Sequence, residues 1–111
     1  MPESISSIVY SFAVQCRRIL GSKLSKIILY GSYARGDYRN NSDVDVMILV
    51  NMTDEEIKMI ENDIYDLAFD IEMETGVDIS PIIKNEQHYL YWVDTLPFYR
   101  NVRDEGVLIS G

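Results

Sequence analysis

Two acidic residues separated by one position are the part of this sequence best suited to chemistry on a phosphate. Asp43 and Asp45 flank Val44 at the start of an apolar run. Alternate residues of a strand point to the same face, so the two carboxylates are predicted to lie side by side. Carboxylates that close repel each other unless a cation lies between them, and such oxygen ligands suit Mg²⁺ or Mn²⁺. The alternative is a solvent-facing strand end with two ordinary acids.

A third carboxylate, Asp78, interrupts the otherwise apolar segment 77–83. A strand residue that faces water is one interpretation. If this segment lies beside the strand that carries Asp43 and Asp45, however, the three carboxylates can converge, as a two-metal phosphoryl-transfer site requires. The hypothesis therefore depends on all three acids lying on the same face of one sheet.

Gly31 and Ser32 directly follow a short apolar run. Glycine allows a backbone to approach a ligand closely. If the next residues begin a helix, their free N–H groups and the Ser32 hydroxyl face an anion. Taken alone the pair is a weak signal, because Gly-Ser is also a common turn.

The elements predicted to position these residues alternate between helix and strand. Periodicity, the Thr53–Glu56 capping box and apolar β-branched runs predict the following segments: helices over 3–20, 53–76, 86–94 and 97–106, strands over 26–30, 44–50 and 77–83, and a polar loop over 37–41. Pro81 cannot donate to a ladder, so the third strand is predicted at an edge or a bulge. This order predicts an α/β or α+β fold with helices packed against a short mixed β-sheet.

Length and composition indicate one domain spanning residues 1–111 and exclude several classes of function. A net charge of −8 argues against direct binding of a nucleic-acid backbone. We expect no membrane span and no signal peptide, because no apolar run approaches about 20 residues and the N-terminus lacks a basic region. The single cysteine, Cys16, lies on an apolar helix face, which favours a buried side chain and a cytoplasmic location.

The spacing of the glycine–serine pair and the acids resembles a known family. Gly31-Ser32, ten residues, and then Asp43-Val44-Asp45 is similar to the G-S-x10-D-x-D signature of minimal nucleotidyltransferases in the DNA polymerase β-like superfamily. The resemblance extends over 31–37 and 41–45, includes the later acidic strand at Asp78, and matches the length of such a domain. The motif is specific because strand, turn, loop, strand, helix and acidic strand follow in the family's order.

The resemblance implies a nucleotidyltransferase fold and a role for each motif residue. Asp43 and Asp45 would bridge two Mg²⁺ ions, and Asp78 would bind one of them and accept the proton of the attacking hydroxyl. Gly31 and Ser32 would hold the outer phosphates of ATP. Arg35 is either a phosphate ligand or part of a surface salt bridge.

Among family members, the chain resembles the antitoxin half of HEPN/MNT toxin–antitoxin pairs. Larger relatives carry a further domain for the acceptor, so we expect another polypeptide to present it here, in a homo- or hetero-oligomer. The resemblance implies transfer of AMP from ATP to a tyrosine of a cognate HEPN toxin. One alternative is an enzyme that modifies a small molecule such as an aminoglycoside at a homodimer interface. The other is a non-catalytic antitoxin that masks its toxin by binding.

The remaining polar and aromatic candidates carry less weight. His88 has no second histidine to form a zinc site, Asp37 is by default a loop acid, and Lys84 is only a candidate for reaching a phosphate. The aromatic residues of the C-terminal third are more often core than ligand site, although aromatics are also enriched at interfaces: Tyr89, Tyr91, Trp92, Phe98 and Tyr99.

Overall fold

A computed structural model of the protein describes all 111 residues. Its helices are α1 (Glu3–Leu20), α2 (Ser32–Arg35), α3 (Asp54–Thr75), α4 (Glu86–Trp92) and α5 (Pro97–Glu105), and its strands are β1 (Leu24–Tyr30), β2 (Val44–Val50), β3 (Ile79–Asn85) and β4 (Val107–Ser110). A short 3₁₀ turn, Gly21–Lys23, joins α1 to β1. The predicted order of elements is confirmed.

The four strands form one mixed sheet in the order β3-β2-β1-β4. β1 pairs antiparallel with β2 and with β4, whereas β2 and β3 are parallel and α3 makes the crossover between them. A parallel pair requires such a long connection, and α3 supplies it. The prediction of helices against a short mixed sheet is therefore confirmed.

Both faces of the central strand β2 are covered by helices, which explains its continuous apolar sequence. Val46 and Ile48 belong to the larger core cluster, which contains the buried residues of α1 and α3. Met47 and Leu49 point the other way, into a smaller cluster with residues of α4 and α5. Residues of β2 at odd positions therefore face α4 and α5, and this face carries the acids discussed below.

The ends of α3 behave as its sequence predicts. Thr53 Oγ1 accepts a hydrogen bond from the Glu56 N–H at 3.2 Å, and Glu56 Oε1 accepts one from the Thr53 N–H at 3.0 Å, which completes the capping box. Gly76 ends the helix with φ +78°, in the left-handed region that glycine tolerates. These local contacts set where the crossover helix begins and ends.

The third strand begins and ends two residues later than predicted. Thr75 Oγ1 accepts a hydrogen bond from the Val77 N–H at 3.1 Å, and the ladder with β2 begins at Ile79. Asn85 remains in the strand, and its side chain also accepts the His88 N–H at 2.9 Å to cap α4. Pro81 lies in the edge strand, as predicted, where its missing N–H costs no ladder bond.

Two further features concern burial and the C-terminus. Cys16 is fully buried in the larger core, and burial raises the pKa of its thiol to about 12, which agrees with its interpretation as a small hydrophobe. The terminal apolar run becomes strand β4 against β1, a pairing that its short sequence did not predict. None of the helices has the length and apolar character needed to cross a bilayer.

Candidate active site

The turn after β1 places a glycine against a carboxylate. Gly31 has φ +78°, and a Cβ atom built there would lie 2.4 Å from Asp45 Oδ2. A side chain at this position would be strained by the backbone angle and would overlap the Asp45 carboxylate unless that carboxylate moved. Ser32 then begins the short helix α2, so a helix does start directly after Gly31, as an anion site at this turn requires. Asp45 therefore lies directly beside the turn.

The parallel pairing of β2 with β3 brings the late aspartate to the earlier two. Val44 pairs with Ile79 and Asp45 with Ser80, and the Val44 N–H donates to the Asp78 carbonyl oxygen at 2.8 Å. Because strand residues alternate between faces, this register places Asp78 on the same face as Asp43 and Asp45. The three acids therefore share one sheet face, as the sequence hypothesis requires, but they do not close around a single point.

Two of the three acids, Asp43 and Asp45, have a raised pKa. Desolvation and the neighbouring Asp78 carboxylate raise the pKa of Asp43, although the Asp43 side chain remains exposed. The pKa of Asp45 is raised by burial first and then by Asp43 and Asp78, while Arg35 partly opposes this increase. Clustered negative charge with so little compensation is unfavourable without a cation.

Two adjacent hollows divide the acids between them. The first, here called the Ser32 cleft, has a volume of about 400 Å³ and contains Asp45 together with Gly31 and Ser32. The second, here called the α3–β3 groove, has a volume of about 350 Å³ and contains Asp43 and Asp78. Nowhere in the structure do three aspartate, glutamate, histidine or cysteine side chains lie close enough together to form a complete set of metal ligands. The acids share a face but are spread across the border between two hollows.

The acids nevertheless suit divalent metal ions. Three oxygen-bearing side chains at one strand end, none of them in a salt bridge with a basic residue, form a hard donor set of the kind that Mg²⁺ and Mn²⁺ prefer. Desolvation first and neighbouring carboxylates second raise the pKa values of Asp43 and Asp45, and a bound cation would relieve the repulsion between the carboxylates. Asp43, Asp45 and Asp78 are therefore the candidate metal ligands of this site.

Arg35 forms the surface salt bridges that were one of its two predicted interpretations. Its guanidinium contacts Asp37 at 3.2 Å and Glu105 at 3.5 Å, and these acids raise the pKa of Arg35. Arg35 also lines the Ser32 cleft. It lies close enough to Asp45 to offset part of the increase in the pKa of that carboxyl. Both interpretations of Arg35 therefore remain compatible with its position.

Sequence reasoning missed the wall of the Ser32 cleft that α5 supplies. Phe98, Asn101 and Glu105 line the cleft, and Tyr30 packs edge-to-face against Phe98 with ring centroids 5.5 Å apart. Burial and Asp45 raise the pKa of Tyr30 to about 12, so its hydroxyl stays protonated. Two of these residues had a sequence signal: Phe98 belongs to the C-terminal aromatic group, and Tyr30 directly precedes Gly31 at the end of a strand.

The other polar candidates lie outside the acidic site or in surface contacts. Lys84 and His88 line a separate hollow with the first turns of α3, at the opposite end of β3 from Asp78. His88 Nδ1 lies 3.1 Å from the Tyr99 hydroxyl oxygen. Asp37 pairs only with Arg35, in agreement with an ordinary loop acid.

Paired carboxylates beside a glycine–serine turn, with a third acid just before the adjacent parallel strand, are the groups that an enzyme of phosphoryl or nucleotidyl transfer requires. Comparison with known proteins identifies the family within this class of enzymes. Residues 13–108 match the family described as nucleotidyltransferase domain, and the chain belongs to that family. The assignment to nucleotidyltransferases made from the motif is therefore confirmed.

A curated relative and two solved structures extend the comparison. The chain is 39% identical over 98 residues to "Putative protein adenylyltransferase MJ0141" of Methanocaldococcus jannaschii, covering 86% of this chain and 94% of the relative. A crystal structure of a toxin–antitoxin with AMP-PNP contains a chain with TM-score 0.56 at 19% identity, covering 92% of this chain and 73% of that one.

The second structure is the tri-AMPylated Shewanella oneidensis HEPN toxin in complex with MNT antitoxin. It matches with TM-score 0.51 at 15% identity and covers 96% of this chain and 72% of that one. At these identities the two structures establish the fold alone. The nucleotidyltransferase fold predicted from the motif is thus found in chains of two toxin–antitoxin complexes.

Proposed function

We propose that this protein is an antitoxin that transfers AMP from ATP, with two Mg²⁺ ions, to a tyrosine of a cognate HEPN toxin. The M. jannaschii relative, similar over nearly its whole length, carries the name of a protein adenylyltransferase. Similar folds occur in a toxin–antitoxin bound to AMP-PNP and in the complex of an AMPylated HEPN toxin. The buried, unpaired Cys16 and the use of ATP are consistent with a cytoplasmic reaction.

The observation that carries this proposal is the position of Asp45 against Gly31, with Asp43 and Asp78 beside it on the same sheet face. Gly31 and Ser32 hold the outer phosphates in the Ser32 cleft, with Arg35 at its mouth. The α-phosphorus then lies at the border with the α3–β3 groove. Divalent ions held by the three acids would neutralise negative charge on the phosphate oxygens and lower the pKa of the attacking hydroxyl.

The transfer itself is an in-line displacement on the α-phosphorus. The tyrosine oxygen forms a bond to this phosphorus while the bond to the bridging oxygen of the leaving pyrophosphate breaks. Asp78 accepts the proton that the hydroxyl loses. Because the protein mainly positions the reactants and balances charge, the geometry of the three acids determines the rate.

The test is to incubate the protein with its HEPN partner, ATP and Mg²⁺, and to measure the mass of the partner. We expect additions of AMP on a tyrosine, with loss of ribonuclease activity in step with the modification. A matched incubation with the double variant Asp43→Asn and Asp45→Asn distinguishes inactivation of the toxin by AMP transfer from inactivation by binding alone. If the wild-type protein neutralises the toxin without any mass change, and the double variant does so equally well, the proposal is wrong and masking is sufficient.

Glu105 provides a further prediction, because it places a negative charge in the cleft proposed for the triphosphate. We expect Glu105→Gln to strengthen binding of a non-hydrolysable ATP analogue by about three- to tenfold at low ionic strength, since it removes repulsion and releases Arg35. Isothermal titration calorimetry measures this change, which should shrink as salt is added. Asp104→Asn is the matched control, because Asp104 pairs with Arg103 and does not line the cleft. Equal affinities for both variants would contradict the placement of the phosphates.

A further inference from the structure

The α3–β3 groove carries aromatic side chains that the core does not use. Tyr65 and Phe69 lie one turn apart on α3 and are 41% and 58% exposed, and Pro81 of β3 lies opposite them. The same stripe continues one turn further to Met73, which is 63% exposed. Another stripe of α3 already supplies the core contacts: Ile57, Ile64, Ala68 and Ile71. An exposed aromatic stripe on a regular helix is suited to binding another chain, because little side-chain freedom is lost when it is covered.

The groove is continuous with the acidic site. Asp43 and Asp78 form part of its lining, whereas Asp45 lines the Ser32 cleft on the other side. In an in-line displacement the attacking and leaving oxygens lie on opposite sides of the phosphorus. A triphosphate in the Ser32 cleft therefore leaves the α3–β3 groove as the approach for the acceptor.

The charge of the groove specifies the chemistry of its occupant. Glu72 joins Asp43 and Asp78 in the lining and keeps its negative charge when those two acids hold cations, and no lysine or arginine contributes to the groove. The whole chain carries a net charge of −8. An acidic groove with aromatic walls is complementary to a basic segment that carries an aromatic side chain.

We propose that the α3–β3 groove docks a basic segment of a partner polypeptide and presents the hydroxyl of its tyrosine to Asp43 and Asp78. The chemical step in this inference rests on the proposed function, whereas the docking does not. The bond changes are those of the transfer above: the tyrosine oxygen attacks the α-phosphorus, pyrophosphate leaves, and Asp78 accepts the proton. The aromatic stripe of α3 thus selects the acceptor, and the Ser32 cleft holds the donor.

A short peptide tests where the acceptor binds. We would titrate the ¹⁵N-labelled full chain with a peptide in which lysines flank one tyrosine, and with a second peptide in which glutamates replace the lysines. We expect amide shifts to concentrate in the segments 65–73 and 78–82 with the lysine peptide and to be absent with the glutamate peptide. Failure of the lysine peptide to bind, or shifts confined to α4 and α5, would overturn the docking inference.

Substitutions in the groove and outside it sharpen the test. Phe69→Ser should weaken binding of the lysine peptide at least tenfold, since truncation of a central aromatic residue carries much of the binding energy. Tyr91→Ser is the matched control, because Tyr91 is also an exposed helical aromatic, at 77% exposure, and lies outside the groove. Glu72→Lys should reduce the preference for the lysine peptide, because the groove lining then carries two acids and one base. Equal affinity of the Phe69 and Tyr91 variants would overturn the inference.

The same samples separate docking from chemistry. Addition of ATP and Mg²⁺ to the wild-type complex should transfer AMP to the peptide tyrosine, which mass spectrometry detects. Binding in the groove without AMP transfer would support the docking surface and count against adenylylation of tyrosine. AMP transfer that Phe69→Ser leaves unchanged would support the activity and refute the groove as the acceptor site.

Discussion

The double substitution Asp43→Asn and Asp45→Asn is expected to lower the rate of AMP transfer at least ~10³-fold while the fold persists. Asp43 directly precedes β2 and Asp45 is its second residue, both lie outside the buried core, and asparagine has nearly the same volume as aspartate. The loss follows because the amides remove the negative charge that would hold divalent ions at the α-phosphate. Single-turnover transfer, followed by mass spectrometry of the acceptor, measures the change.

Stability measurements distinguish loss of metal binding from loss of structure. The raised pKa values of Asp43 and Asp45 mean that, without divalent ions, the wild type loses stability as the pH rises from about 4 through the folded pKa values. The double variant lacks this loss, so it should melt higher than the wild type at neutral pH, and the difference should disappear at low pH. Added Mg²⁺ should raise the melting temperature of the wild type and leave that of the variant unchanged. A variant that melts lower than the metal-free wild type would indicate a structural role for these acids.

Gly31→Ala is expected to have the second large effect, on both stability and activity. The new Cβ would lie 2.4 Å from Asp45 Oδ2, in a residue whose φ is +78°. We expect the left-handed backbone and the overlap together to cost about 3 kcal/mol of unfolding free energy. Transfer activity should fall about 10²-fold, because Asp45 must move and small displacements of a catalytic group are costly. Denaturant unfolding and transfer kinetics on one sample test both effects.

Two control variants separate backbone strain from the contact with Asp45. Gly36 has φ +87° with no atom within 4 Å of a built Cβ, so Gly36→Ala should cost only about 1 kcal/mol. Gly31 itself has ψ −156°, which strains a side chain more than the αL conformation of Gly36 does. Combining Gly31→Ala with Asp45→Ala removes the overlapping carboxylate, and a double-mutant cycle should recover only the part of the cost that comes from the overlap. Additive effects of the two substitutions would mean that Gly31 does not position Asp45.

The local parts of the fold and site could be predicted from the sequence because their causes are short-range. The capping box of α3, the glycine that ends it and the edge position of Pro81 follow from backbone chemistry within a few residues. The boundary of β3 was wrong by two residues, because polar Lys84 and Asn85 still pair along β2. β4 was missed as a strand, since four residues show too little periodicity and its pairing partner is β1, far away in sequence.

The sequence by itself determined which residues are candidates for chemistry, because the types and spacing of Gly31, Ser32, Asp43 and Asp45 are local properties of the chain. Tertiary structure alone decided that Asp78 lies beside Asp43, since this depends on the parallel register of β3 with β2 across the α3 crossover. It also decided that α5 closes the Ser32 cleft and that Tyr65 and Phe69 border the acids. The physical reason is that both faces of β2 must be covered, and the non-local packing that covers them leaves no repeating pattern in the sequence.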